Sequence, residues 1–429
     1  MANPIQSLTA ASLDSARTAS EADDLALLTS KRAGEMLRLA FADHGILRSW
    51  SVHQIHHRPG AGISVGYSVI IDVRNPFERR DLYAVASTAQ IQEEKVLEVG
   101  GKRLRLGSTA VNIWEFPYDP ELPALDLACD VEKMSQYLGE SVELELIGYR
   151  PTRRAVVRVI RENKPPIFAK TIRPQVQADF EYRLKIVKGA GINCPQIYAR
   201  EVGIVMMTAL EGVPLSRVLA ASSKHIQSEK RLEKSGARAV LRDLEGIIEA
   251  LPPTAIGLKQ RPAWVDRCEH YAAAAALTLP EHAQQCAKIA RDIRQLLSSA
   301  DLGPKVATHG DFYEANIYVN SVTRRVSGLL DLDSLGPGYR VNDWGCLLGH
   351  MSVLPTLAPK IYDGVQSITD DWYQILGSSV DEAALAASAA GTALSLVAGA
   401  RKSRVKWKVE ALNRLTAAQA WVDRGFAVR

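Results

Sequence analysis

Lys305 to Cys346 reads K-V-A-T-H-G-D-F-Y-E-A-N-I-Y-V-N-S-V-T-R-R-V-S-G-L-L-D-L-D-S-L-G-P-G-Y-R-V-N-D-W-G-C, and its order of residue types governs how the rest of the chain is read. Asp311 follows His309-Gly310, and Asn316 comes four intervening residues later. Two short apolar runs, Ile317-Tyr318-Val319 and Val326 to Leu330, flank the polar connector Asn320 to Arg325, which is the pattern of a β-hairpin. The second strand returns Asp331 to the side of Asn316, so an amide oxygen and a carboxylate converge. Such a pair suits a hard cation: Mg²⁺ keeps several waters and takes one or two protein oxygens plus nucleotide phosphates. Taken singly, Asp311 and Asn316 equally suit Asx turns or caps. The ordered spacing is what separates the two readings.

The spacing H-G-D-x-x-x-x-N is also that of the kinase catalytic loop, where the Asp faces the acceptor hydroxyl and the Asn reaches a metal ion. H-G-D-F-Y-E-A-N, followed by L-L-D-L-D-S-L-G-P-G and then Asp343, resembles the aminoglycoside phosphotransferase and choline kinase superfamily, whose fold is like that of protein kinases. Asp331 and Asp343 match the two later aspartates of that pattern. The resemblance implies Asp311 as the catalytic residue, Asn316 and Asp331 as Mg²⁺ ligands, and His309 and Asp343 as supports of the loop. Asp333 is a second-choice ligand, sharing the side of Asp331 if the strand continues. Asp343 also precedes the apolar run Trp344 to Val353 and so reads as a helix N-cap; the two roles are compatible.

The 429 residues suffice for two or three compact units, and 47% hydrophobic with 23% charged residues is an ordinary globular composition. Lys plus Arg number 52 against 48 Asp plus Glu, a net charge of +4, which argues against nucleic-acid binding. Five dispersed cysteines form no C-x-x-C or Cys/His metal spacing, as expected of a reducing, cytoplasmic setting. Residues 1–20 lack an apolar core behind basic residues, so no secretory signal is expected. Ala383 to Ala400 is uncharged and nearly long enough to span a bilayer. Its Ala, Gly, Ser and Thr content points instead to a packed internal helix, and no membrane partner is expected.

Asp23 to Phe41 has helical periodicity and reads as one amphipathic helix ending near Gly45. Ile63, Val65, Tyr67, Val69 and Ile71 alternate at the strand period. Ile55-His56-His57-Arg58-Pro59-Gly60 before this strand resembles Ile147-Gly148-Tyr149-Arg150-Pro151-Thr152 before Ala155 to Ile160. Each is followed by a third run, Leu82 to Val85 and Ile167 to Lys170 respectively, which suggests a degenerate internal repeat. In the first copy the place of Lys170 falls near Ser87, so that copy is a cap without phosphate chemistry. Val96 to Ile113 reads as continuing with a hairpin about Gly100-Gly101.

Glu143 to Ile147, Ala155 to Ile160 and Ile167 to Thr171 read as three antiparallel strands, the start of a kinase-like N-lobe. The connection Tyr149 to Arg154 lies where protein kinases place a Gly-rich loop over the phosphates, yet it contains no glycine. Arg153 and Arg154, with Arg150, either supply charge to the nucleotide or form a solvated tip. Lys170 occupies the position of the β3 lysine that pairs with the α/β-phosphates. Its expected acidic partner is Glu181, with Asp179 as the alternative. Gly203 to Leu215 resembles the interlobe hinge, placing Met207 and Ala209 where backbone groups meet the adenine.

Lys224 to Leu251, Trp264 to Leu277 and Pro280 to Leu297 are helical by period. The expected fold class is therefore α+β: a protein-kinase-like bilobal fold with a cap at 1–135, an antiparallel N-lobe and hinge at 136–212, and a helical C-lobe at 213–429. A polycationic acceptor needs carboxylates, whereas the chain from Arg401 onward is mainly basic. A neutral or anionic hydroxyl compound such as a sugar is expected, and the extra N-terminal strands resemble the capped, maltokinase-like sugar kinases. An antibiotic kinase and a non-catalytic nucleotide-binding module are the other two classes. ATP and Mg²⁺ are the expected donor and cofactor; the sequence carries no signal of oligomeric state.

Overall fold

The computed structural model describes residues 21–57, 60–74, 77–220, 234–402 and 405–429. The chain forms two compact units, one running to Gln177 and including Ile197–Met207, the other Ala178–Gln196 with everything from Thr208. The strands read as a cap and those read as an N-lobe both belong to the first unit.

The single helix expected over Asp23–Phe41 is two. Residues 21–29 are helical, then Ser30 turns extended and its Oγ accepts from the Arg32 N–H, capping α1 (Lys31–Ala40). A side chain that satisfies an orphan helix donor here outweighs the continuous apolar period. Met36 and Leu37 of α1 pack on a five-stranded sheet, β1 (Ile46–His57), β2 (Ile63–Arg74), β3 (Phe77–Ser87), β4 (Lys102–Leu106) and β5 (Thr109–Glu115). The alternating residues Ile63 to Ile71 of β2 all point into this core, as their period requires.

Between β3 and β4 lies α2 (Glu93–Glu98), where a strand was expected. Gly100-Gly101 is thus not a hairpin turn: Gly100 stops the helix at φ 73°, and the turn between β4 and β5 is carried by Gly107 at φ 68°. Both glycines supply the left-handed conformation, and sequence alone does not say which element each one ends.

After α3 (Leu125–Cys129) and α4 (Val131–Leu138) comes a second five-stranded sheet: β6 (Val142–Arg150), β7 (Arg154–Arg161), β8 (Lys164–Ile172), β9 (Ile197–Glu201) and β10 (Ile204–Thr208). The helix between its third and fourth strands is α5 (Pro174–Gly189). The strand order is β1-β2-β3-β5-β4 in the first sheet and β6-β7-β8-β10-β9 in the second, one topology used twice. The repeat suggested by the sequence therefore has a structural counterpart. Val85, Trp114, Leu122, Tyr149 and Ala155 form a core shared by the two sheets.

The second unit is mostly helical. β11 (Val213–Pro214) precedes α6 (Leu215–Leu219), and α7 (Lys234–Glu249) follows; residues 224–233 of the helix expected there lie outside the described residues. Next come α8 (Cys268–Thr278), α9 (Ala283–Leu297), β12 (Lys305–Thr308), the hairpin β13 (Ile317–Val319) and β14 (Val326–Leu329), and β15 (Gly336–Tyr339) paired with β12. Four helices complete it: α10 (Arg340–Leu357), α11 (Val365–Gly377), α12 (Glu382–Leu396) and α13 (Trp407–Ala427). The uncharged stretch is α12, buried along its length. At Gly349 on α10 a Cβ would sit 2.6 Å from the Ala389 carbonyl oxygen, so the close approach of α10 and α12 requires glycine there. This internal packing accounts for the Ala/Gly/Ser composition of a stretch long and apolar enough to cross a membrane.

Candidate active site

β12 and β15 hold the two ends of the decisive stretch together, pairing Thr308 with Gly336. The loop that leaves β12 is fixed by hydrogen bonds to one buried carboxylate: the His309 N–H donates to Asp343 Oδ2 and the Gly310 N–H to Asp343 Oδ1, each at 2.9 Å. Burial pushes the Asp343 carboxyl up, against the pull of His309 and these two amides. Asp343 lies inside the first turn of α10, whose N-cap is Tyr339, so it does not cap the helix; its oxygens are taken by the loop instead. Gly310 has φ 76°, and a Cβ there would lie 2.6 Å from the Ser334 carbonyl oxygen.

The His309 ring, fully buried, bridges the loop to the hairpin. Its Nε2 donates to the Leu330 carbonyl (2.9 Å) and its Nδ1 accepts from the Asp311 N–H (3.3 Å), which selects the Nε2–H tautomer. Asn316 closes the loop: its Nδ2 donates to the Asp311 carbonyl at 2.9 Å, turning Oδ1 the other way. The Leu330 N–H donates to the Asn316 carbonyl (2.8 Å), and Ile317 pairs with Leu329, so the hairpin brings Asp331 back to Asn316 as its pattern indicates.

β14 ends at Leu329. Asp331 then adopts the left-handed region (φ 53°, ψ 58°) and Leu332–Ser334 forms a 3-10 turn. The alternation that placed Asp333 on the side of Asp331 therefore does not apply, because the strand does not continue.

Three residues near this loop went unnoticed in the sequence. Glu314 is buried, burial raises its carboxyl to about 7, and its Oε2 finds no partner among the described residues. Tyr313 stacks on His350 of α10, ring centroids 4.2 Å apart, and burial lowers His350 to about 4. A polar His350 inside the apolar run Trp344–Val353 was the only cue, and it needs the tertiary contact to acquire meaning.

In the first unit Lys170 sits on β8, nearly buried, opposite Val156. Arg153 is exposed at the tip of the β6–β7 hairpin, Arg154 begins β7, and Met207 is buried on β10. The register shows how the two sheets correspond. Thr88 Oγ1 accepts from the Ile63 N–H and Thr171 Oγ1 from the Ala155 N–H, both at 3.1 Å. One residue earlier, Ser87 faces Ser64 and Lys170 faces Val156. Ser87 thus stands at the lysine position, its Oγ 2.8 Å from that of Ser64. In the second unit, Asp179 is exposed and lies 3.4 Å from Arg183, one turn along α5; Glu181 is half-buried on the same helix, and Ala209 follows β10.

The chain belongs to the phosphotransferase enzyme family, whose model matches residues 147–393, more than half of its length. It is a small-molecule kinase by that membership, with the antiparallel sheet and helical unit expected of the class. Among solved structures it is similar to aminoglycoside phosphotransferase APH(3'')-Id from Streptomyces rimosus, at 17% identity and TM-score 0.38 over 59% of this chain and 92% of that one. It is also similar to choline kinase LicA from Streptococcus pneumoniae, at 15% identity and TM-score 0.45 over 68% and 96%. A third similar structure is macrolide 2'-phosphotransferase MphH from Brachybacterium faecium, at 15% identity and TM-score 0.39 over 69% and 97%. No curated protein matches the sequence.

Proposed function

We propose that this chain transfers the γ-phosphate of ATP to a hydroxyl group of a small molecule, a sugar or amino sugar, in the cytoplasm. The observation that carries the reading is the loop 309–316, whose backbone is clamped by Asp343, His309 and Asn316 so that the position of Asp311 is fixed by hydrogen bonds. In this reading Asp311 orients the acceptor hydroxyl and takes its proton, and Lys170 offsets charge on the α/β-phosphates. Arg153 and Arg154 assist at the phosphates, and backbone groups at Met207 and Ala209 meet the base.

Asn316 and Asp331 fit a hard cation. The Asn316 amide nitrogen is engaged by the Asp311 carbonyl, which leaves Oδ1 as the ligand atom beside the Asp331 turn. Mg²⁺ bound there supplies positive charge to the phosphates. Among the described residues no group of three His, Cys, Asp or Glu side chains forms a denser metal site.

The choice of acceptor class is supported by the carboxylates that are already compensated. Asp370 meets Arg424 at 2.7 Å, Asp371 meets Arg238 at 2.8 Å, and Glu269 meets Arg294 at 2.7 Å, which holds the Glu269 carboxyl down at about 2. Neutralised acids offer little to a polycation, which supports an uncharged sugar. One observation favours a second reading, an antibiotic kinase: a cavity of about 740 Å³ is lined by Asp363, Asp370 and Asp371 with Arg238 as its one basic group. The test is transfer of label from γ-labelled ATP to a panel of sugars, amino sugars, amino alcohols and aminoglycosides. Labelled sugar with none in the aminoglycosides is expected; resistance conferred on a sensitive host would select the second reading, and no transfer to any hydroxyl compound would remove the first.

A further inference from the structure

The β6–β7 turn is Arg150-Pro151-Thr152-Arg153, closed by the Arg153 N–H donating to the Arg150 carbonyl at 3.0 Å. Pro at the second position and a left-handed residue at the third make a type II turn, whose third position ordinarily takes glycine. Here it is Thr152 at φ 62°, a β-branched residue in a conformation it avoids. Both backbone groups of Thr152 are clamped. Its N–H donates to Asp119 Oδ2 (2.8 Å) and its carbonyl accepts from Arg173 Nε (2.8 Å).

Asp119 is 1% exposed and comes from the segment between the two sheets, not from the hairpin. Its Oδ2 also accepts from the Tyr149 hydroxyl (2.6 Å), its Oδ1 accepts from the Glu121 N–H (2.9 Å), and the Tyr149 hydroxyl accepts from Trp114 Nε1 (3.1 Å). One buried carboxylate therefore ties the cap's last strand, the linker and the turn into one network. Buried carboxylates persist only where donors of this kind surround them.

We propose that Asp119 is a positioning residue for nucleotide binding: it holds the β6–β7 turn over the phosphates by an external clamp, where protein kinases rely on glycines within the loop. The cap then contributes to the reaction without carrying any chemistry of its own. The inference rests on the reading that this hairpin covers the nucleotide phosphates.

The test measures the affinities of the full-length protein for Mg·ATP and for adenosine by calorimetry, for wild type, Asp119→Ala and Asp119→Ala/Thr152→Gly. Adenosine lacks the phosphates the turn would cover, so a merely structural defect weakens both ligands alike. The expected result for Asp119→Ala is about a tenfold loss for ATP, the order of one buried hydrogen-bond anchor, with adenosine unchanged. Thr152→Gly in that background restores much of the ATP affinity, since glycine keeps φ positive without a clamp. Trypsin cleavage after Arg153, without nucleotide, is expected to accelerate in Asp119→Ala and to slow again in the double variant. Should Asp119→Ala fail to fold, Tyr149→Phe removes one of the three bonds to Asp119, together with the one from Trp114, and is expected to show the same ATP-selective loss at smaller size. Equal losses for both ligands, or none for either, overturn the proposal. Lys170→Ala separates the two levels: if it lowers ATP affinity while the Asp119 and Tyr149 variants do not, only the clamp fails; if it too leaves ATP affinity intact, the underlying reading of this sheet fails.

Discussion

The sheets β1–β5 and β6–β10 run through one strand order and anchor their third strands with the same threonine hydrogen bond, but β3 carries Ser87 where β8 carries Lys170. The intervening helix differs as well, six residues in α2 and sixteen in α5. The first sheet keeps a full apolar core with α1, so its stability does not depend on a lysine at this position. A topology is set by alternating apolar residues and turns, whereas in the proposed reading phosphate chemistry hangs on one cation at one register position. Duplicated architecture is thus no sign of duplicated activity.

The largest expected effect lies outside both sheets. Asp311→Asn is expected to lower kcat by about 10³-fold, the size of a lost general base, while nucleotide affinity stays within about twofold. Near-normal turnover in a phosphotransfer assay would take Asp311 out of that role whichever sheet binds nucleotide.

Next comes the comparison itself. Lys170→Ala is expected to lower kcat/KM about 10²-fold, as for loss of one preorganised charge, and Ser87→Ala to leave it within about twofold. Equal losses in steady-state kinetics would mean that both sheets serve the reaction. A smaller effect probes the shared anchor: Thr171→Val strands the buried Ala155 N–H at a cost of about 1–3 kcal/mol, and Thr88→Val does the same to Ile63 at a more open site, so about half that is expected from denaturant unfolding. A silent Thr171→Val would show that the register match is not an energetic one.

The smallest effect is a pH dependence that neither sheet supplies. His350 takes up a proton near 6.5 when unfolded but only near 4 when folded, its pKa lowered by burial. The unfolded chain therefore binds more protons across that window, and stability falls as pH drops from about 6.5 to about 4. His350→Phe is expected to flatten this limb of the melting-temperature profile; an unchanged slope would assign the limb to other groups.

Much of this was legible in the sequence, for physical reasons that differ by residue. Ile63 to Ile71 announce a strand because one face meets the core, and the spacing of His309, Asp311, Asn316 and Asp331 announces a loop and a hairpin that bring these segments together. Ser30 was missed because a polar residue within an amphipathic period resembles an exposed helix position until its cap bond is seen. Gly100 and Gly107 both turn the chain, and only the burial of Val96 and the pairing of β4 with β5 decide which turn is which. Asp119, Glu314 and His350 owe their character to burial by segments distant in sequence, which no local pattern encodes.

The central proposal is that the second sheet meets the nucleotide phosphates through Lys170 while the first sheet meets none. The most direct measurement is labelling of the native protein with an acyl-phosphate ATP probe, which acylates the lysine nearest the bound phosphates, followed by peptide mapping. Modification of Lys170 that Mg·ATP suppresses, and that persists in Asp311→Asn, is the predicted result. Mg·ATP-protected labelling at a lysine of the β1–β5 sheet, with Lys170 untouched, would contradict the account.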